Sequence, residues 1–474
     1  MSASRHHSKG QEVVAGLTTF AAMSYIMFTN PLILKDAGMP AGPVFLWTCI
    51  TAAAASFMAG WRLNTPTAMA CGMGLNLFVA DYAIKRGVPW PYLLLTCSLV
   101  AIAVLALSVR LQRGQPSWRQ KLITDIPPEI FAAIKGGIGA LLAEAAIREI
   151  KSLSERVEFW KVILAFAAGV LVIVVMKWLY ATKVDALKPR QQPGNALRLL
   201  DSAPFIVSIA VMIPFALALG LTQSLAPEPQ LYWVWGEKGL GWFDRTPDHL
   251  LELCVVFAAA AFFVLLLDIA GSPYEYVTSE EEGKKLSPET KEAIIDRSLK
   301  IDSVANVLAP VAGVTPLVYY AENHAGWKAY GKTGLVAQVA AACFAVFAII
   351  AIISISLGRG ITEFIPKFAI MPTLFFIGLL VTAESFVPPV PTPGSKEKKK
   401  KETPTGRILY FVPAALTVVM VPATRFDYAL AAGILSHAVI SIFPESYIGT
   451  KRASSNALIG IYIAAFIVLV LSLR

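Results

Sequence analysis

The sequence predicts an all-α polytopic membrane protein of about fourteen transmembrane segments, built as a 7+7 inverted repeat. Three observations predict it. The 474 residues are 56% hydrophobic and 15% charged, whereas a soluble domain carries about 25% charged residues. Apolar stretches run from end to end between polar loops. The third stretch in each half is short and interrupted by Gly and Pro.

The first half, residues 1–222, places its apolar stretches at 12–33, 43–60, 67–84, 91–111, 128–148, 158–180 and 203–222. The second, residues 250–474, places them at 250–272, 299–312, 316–330, 333–356, 364–385, 408–443 and 456–473. A complete span needs on the order of 20 apolar residues, so 67–84, 299–312 and 316–330 are short or broken. The stretch 408–443 is long and is expected to bend at Pro422. An odd number of segments per half forces the halves into opposite orientations. The acidic and basic stretch 275–300 reads as a cytoplasmic loop with a short helix. Residues 386–407, Pro-rich and then lysine-rich, read as a solvated cytoplasmic linker that an anionic lipid surface could also contact.

With both termini cytoplasmic, Lys and Arg are about twice as frequent in inside loops as in outside ones. The inside set includes Arg110, Arg113, Arg119, Lys121, Lys284, Lys285 and the run Lys396, Lys398, Lys399, Lys400 and Lys401. This loop placement explains the net charge of +9 and argues against a nucleic-acid partner. Cys49, Cys71, Cys97, Cys254 and Cys343 are scattered through apolar stretches and read as small buried hydrophobes. The polar start MSASRHHSKG leads into a segment long enough to span, so no cleavable leader is expected. The sequence has no phosphate-binding loop, metal-spaced histidine pair or nucleophile elbow. No enzymatic activity, cofactor or metal is therefore expected.

Intramembrane polar residues carry the functional argument. Glu322 stands in GVTPLVYYAENHAGW, residues 313–327, just after the break at Gly313, Thr315 and Pro316. A carboxylate at membrane depth by default marks a solute or proton pathway. Discontinuous helices are how transporters line a midplane site. Residues 64–78, NTPTAMACGMGLNLF, hold the matching break at Pro66, Gly72 and Gly74. Helix-start amides there would suit carbonyl or anionic groups, and Asn76 adds a donor and an acceptor. Tight glycine packing explains the same residues equally well. Asp268, within VLLLDIAG, must be protonated, paired, facing a site, or bonded to a broken segment's backbone. Lys135 and Glu144 are too far apart for a direct ion pair, and each needs another partner. Glu384 and Asp427 fall near span ends, His437 reads as a bonded packing histidine, and Tyr319, Tyr320 and His324 flank Glu322 to stack or to pack.

These motifs resemble the nucleobase–cation symporter-2 superfamily, most closely its adenine/guanine/hypoxanthine permease branch. TTFAAMSYIMFTNPLILKDAGMP at 18–40 is similar to that branch's first span, and ACGMGLNLF at 70–78 to its third. IPPEIFAAIKGGIGALLA at 126–143 resembles its fifth, and GVTPLVYYAENHAG with Gly-Lys-Thr-Gly-Leu at 331–335 its tenth. The resemblance covers nearly the whole chain. It implies a core domain and a gate domain, with extended pieces of segments three and ten meeting beside the substrate. It also implies purine uptake coupled to protons by alternating access. Gly72, Gly74, Asn76, Asp268 and Glu322 are then the substrate-site candidates, with Asp268 and Glu322 carrying the proton. Departures are Leu265 in place of a first aspartate, Pro316–Tyr320 in place of a Ser/Thr-rich run, Asn323 where serine is usual, and Lys135 and Glu144, which look foreign in the fifth span. Two alternatives stay open: a transporter of this fold for xanthine, uracil or an organic anion, and a non-transporting membrane receptor. A cell (inner) membrane location follows from the resemblance, and a homodimer is among the assemblies the sequence allows.

Overall fold

Helices account for nearly all of the architecture, and several are bounded where the sequence places Pro, Gly or Asn. The computed structural model describes residues 9–110, 115–125, 127–155, 157–185, 203–221, 233–235, 247–267, 272–279, 283–329, 331–356, 367–386, 404–424, 426–440, 462–463 and 465–466. Asp268, the lysine run and most of the stretch 456–473 lie outside the described residues.

The first span is two helices, α1 (Lys9–Met23) and α2 (Ile26–Asp36), with Ser24 and Tyr25 between them. Next comes α3 (Ala41–Leu63), which stops at Asn64 in the left-handed conformation (φ 52°), a helix end that Asn tolerates. The chain then turns tightly at Pro66, where the Thr67 amide donates to the Thr65 carbonyl at 2.8 Å, enters strand β1 (Met69–Cys71), and restarts as α4 (Met73–Arg86) from Gly72. There follow α5 (Trp90–Ser108), a short α6 (Trp118–Asp125), α7 (Pro128–Ser154), α8 (Phe159–Asp185) and α9 (Pro204–Ala218).

In the second half the order is α10 (Leu250–Leu267), α11 (Ser272–Thr278) and α12 (Pro288–Ala312). Ser287 caps α12 by accepting from the Thr290 amide, with Pro288 in its first turn, both preferred placements. Half of the expected loop at 275–300 is therefore the start of this 25-residue helix. Gly313 (φ 91°) ends α12, and strand β2 (Leu317–Tyr319) and α13 (Asn323–Lys328) follow. The remaining elements are α14 (Leu335–Ser356), α15 (Lys367–Ser385), α16 (Pro404–Ala423) and α17 (Phe426–Ile440). The stretch 408–443 is thus two helices, parted just after Pro422.

Seven spans among the described residues are long and apolar enough to cross a membrane, the first counted as α1 and α2 together, and shorter apolar helices accompany them. Their outer faces carry exposed Leu, Ile, Val and Phe, for example Leu171, Val346, Ile349 and Val419, the composition a lipid-facing surface requires. Two bodies are visible in the packing. In the core, α3 lies on α14, α5 on α12 and α10, and α1 on α14. In the gate, α7 lies on α15 and α16, α9 on α8 and α15, and α16 on α17. The strands β1 and β2 pair antiparallel inside the core, in the register Met69 to Tyr319, Ala70 to Val318 and Cys71 to Leu317. Both expected extended pieces are present, and they meet each other.

Candidate functional site

A strand of three residues presents more backbone hydrogen-bonding groups than one partner can satisfy, and in a membrane none may be left bare. Here side chains complete the pairing. The Ser56 hydroxyl donates to the Met69 carbonyl and accepts from the Met69 amide, each at 2.9 Å. Asn323 mimics a strand neighbour for Ala68. Its Oδ1 accepts from the Ala68 amide at 2.8 Å, and its Nδ2 donates to the Ala68 carbonyl at 2.9 Å. Asn306 Oδ1 accepts from the Leu317 amide at 2.6 Å. The Tyr320 hydroxyl donates to the Cys71 carbonyl, and the Gly72 amide to the Pro316 carbonyl at 2.9 Å.

Beside this crossing the Tyr25 hydroxyl donates to Glu322 Oε1 at 2.9 Å. Tyr25 itself is 1% exposed and sits in the break between α1 and α2. Its ring meets Phe205 of the gate edge-on, with centroids 5.6 Å apart, and Phe205 in turn meets Phe376 at 6.3 Å. A carboxylate, a phenol and two gate aromatics therefore converge from the residue before α13, the break between α1 and α2, α9 and α15.

The predicted residues divide among several tasks. Glu322 stands at the crossing with Tyr25. Asn76 is fully buried; its Oδ1 accepts from the Thr315 hydroxyl, which ties α4 to the chain leading into β2. Gly72 forms the turn from β1 into α4. Gly74 faces the gate: a Cβ there would lie 2.6 Å from the Ile138 side chain of α7. Of Asp268 nothing is described. Among the described residues no group of three or more His, Cys, Asp or Glu could hold a metal ion. His437 is a bonded histidine, with Nδ1 2.7 Å from the Tyr462 hydroxyl and Nε2 3.7 Å from Glu129.

Sequence reasoning missed Tyr25, Asn306 and Arg119. Arg119, counted among solvated loop cations, is fully buried. It pairs with Asp302 at 3.0 Å, and donates to Ser303 at 2.7 Å and to the Leu265 carbonyl at 2.8 Å. Leu265, the departure noted above, thus offers Arg119 a backbone acceptor near the end of α10. Thr315 and Asn323 showed one available signal, polar side chains flanking an apolar break; Arg119 showed none that separates it from its basic neighbours.

Residues 10–357 match the model of a permease family, Xan_ur_permease. The chain belongs to this family, the nucleobase–cation symporter-2 superfamily. Its curated relatives include the adenine permease AdeP of Escherichia coli (strain K12), 25% identical and covering 91% of this chain and 87% of the relative. The guanine/hypoxanthine permease PbuG of Bacillus subtilis (strain 168) is 26% identical and covers 89% of this chain and 88% of the relative. The fold resembles the transmembrane domain of a cyanobacterial bicarbonate transporter, BicA (TM-score 0.55, 13% identity, 88% of this chain and 98% of that one). It also resembles the murine anion transporter Slc26a9 in its inward-facing state (TM-score 0.52, 12% identity, 92% and 69% covered). The chain is accordingly a membrane permease with the transporter fold of core and gate.

Proposed function

We propose that the permease carries purine nucleobases into the cell in symport with protons, at the crossing of β1 and β2. The observation that carries this reading is the Tyr25–Glu322 pair, held by the core and faced by Phe205 of the gate. A purine edge presents N–H donors beside ring-nitrogen and carbonyl acceptors. Glu322 accepts from the donors. The first-turn amides of α4, which have no acceptor within their own helix, donate to the acceptors. Phe205 covers one ring face. The names of the adenine and guanine/hypoxanthine permeases among its relatives support this substrate class.

Substrate and proton share one carboxylate in this scheme. Protonated Glu322 keeps its place at membrane depth without an unpaired charge, and the Tyr25 hydroxyl can turn to accept from it. Asp268 is the second proton carrier proposed. Residues 1–222 and 250–474 act as the two inverted halves, with both termini cytoplasmic in the inner membrane. Movement of core against gate then exposes the crossing to either side in turn.

The test is uptake of radiolabelled hypoxanthine, guanine and adenine into proteoliposomes, with and without an inward proton gradient. Accumulation of at least one base that collapses with a protonophore is expected. Glu322→Gln should insert normally yet lose binding or coupling. Absence of saturable uptake of all three bases by folded protein would overturn the substrate, and unchanged coupling in the variant would remove Glu322.

A further inference from the structure

Core and gate meet chiefly where α4 lies on α7, and the described contacts around that seam are mostly apolar. Gly74 lets Ile138 approach, and Phe78 packs on Phe426 at 5.3 Å. Such a surface lets two bodies shift at little polar cost. One end differs. Lys85, nine residues and about 13 Å along α4 from Asn76, reaches across to the gate. Its Nζ donates to the Thr424 carbonyl at the end of α16 (3.0 Å) and lies 3.8 Å from Glu144 Oε1 of α7.

Each of these groups also has a counter-ion on its own helix. Lys85 lies 2.8 Å from Asp81, one turn back, and Glu144 lies 4.0 Å from Arg148, one turn on. The order across the seam is Asp81, Lys85, Glu144, Arg148, with signs alternating. A static buried pair loses its compensation when parted, which is costly. Here, separation leaves Lys85 with Asp81 in the core and Glu144 with Arg148 in the gate, so both the closed and the open arrangement are satisfied. Lys85 and Glu144 remain partly exposed, at 25% and 21% of their side chains, as groups that must exchange partners through water.

We propose that Lys85 and Glu144 form a charge clasp that closes one end of the core–gate seam and sets the balance between the two access states of transport. This gives a role to Glu144, a charge the resemblance left without explanation. The inference rests on the core-and-gate fold and is independent of which solute is carried.

The test uses Ile138→Cys, which places a thiol on the seam beneath the clasp, in full-length protein reconstituted without substrate. Labelling by a membrane-impermeant maleimide is measured from each face, with the parent's native-cysteine labelling subtracted. Adding Glu144→Gln should raise the rate from one face roughly fivefold, which corresponds to about 1 kcal/mol. Lys85→Met should do the same, and the double variant should exceed neither, because both remove one interaction. Should Lys85→Met fail to fold because it strands Asp81, Glu144→Gln alone decides. A rate within twofold of the Ile138→Cys parent from both faces, or fully additive effects, would overturn the clasp. Since no solute enters the measurement, its failure is distinct from failure of the purine reading.

Discussion

Asn323 shows how much one residue contributes to this site. It accepts from the Ala68 amide and donates to the carbonyls of Ala68 and Tyr320, the last at 2.8 Å. A serine at this position, with one O–H donor against the two of the amide, could not serve both carbonyls. Interhelical hydrogen bonds in membranes are worth about 0.6–2 kcal/mol each. Asn323→Ala should therefore cost about 2–4 kcal/mol, read as a lower unfolding temperature of the detergent-solubilised protein. Loss of stability smaller than that of one such bond would show that β1 is held by Ser56 and β2 alone. Tyr25 acts differently: its hydroxyl orients Glu322 without adding a strand contact, so its effect belongs to binding more than to folding.

At the scale of elements, the two breaks were legible because Pro and Gly cannot be hidden in a helix: Pro66 and Gly72 around β1, and Gly313 and Pro316 before β2, mark their own positions. The residues that hold the strands were not legible. Asn323 meets Ala68 across 255 positions of sequence and Asn306 meets Leu317 across a helix end, and neither distance is written in local pattern. Arg119 misled for the same reason, since a basic residue in a loop looks solvated until Asp302 is brought to it by folding. Helix crossings follow the same rule. A Cβ on Gly334 would overlap the Gly60 carbonyl oxygen, which belongs to backbone and has no rotamer to escape into. Gly334→Val should abolish folded yield by prying α14 from α3, whereas Gly74→Ala should fold in reduced yield, because it meets the Ile138 side chain and not backbone. Size-exclusion chromatography of both variants checks this; monodisperse Gly334→Val would refute the packing argument.

For the whole molecule, the decisive property is that core and gate are separate bodies meeting on a thin seam. Alternating access requires that the seam change, while hydrogen bonds such as those between β1 and β2 stay within the core. A covalent link across the seam should therefore stop transport. Gly74 and Ile138 provide the place. A Cβ on Gly74 would lie 2.7 and 3.0 Å from the two Cγ atoms of Ile138, so the two Cβ atoms would stand roughly 3–3.5 Å apart, at the short edge of the separation a disulfide spans, which a small shift of α4 from α7 brings into range. With Gly74→Cys and Ile138→Cys combined, oxidation should cut uptake to a small fraction of the reduced protein, and thiol reductant should restore it. Because Gly74 belongs to the proposed site, equilibrium binding is compared between the oxidised and reduced forms of the same double variant, and oxidation should lower it far less than it lowers flux, since β1, β2, Tyr25 and Glu322 are the same in both. If the oxidised protein transports at the reduced rate while gel mobility shows the bond formed, then α4 and α7 move together, and the moving boundary must lie elsewhere in the fold.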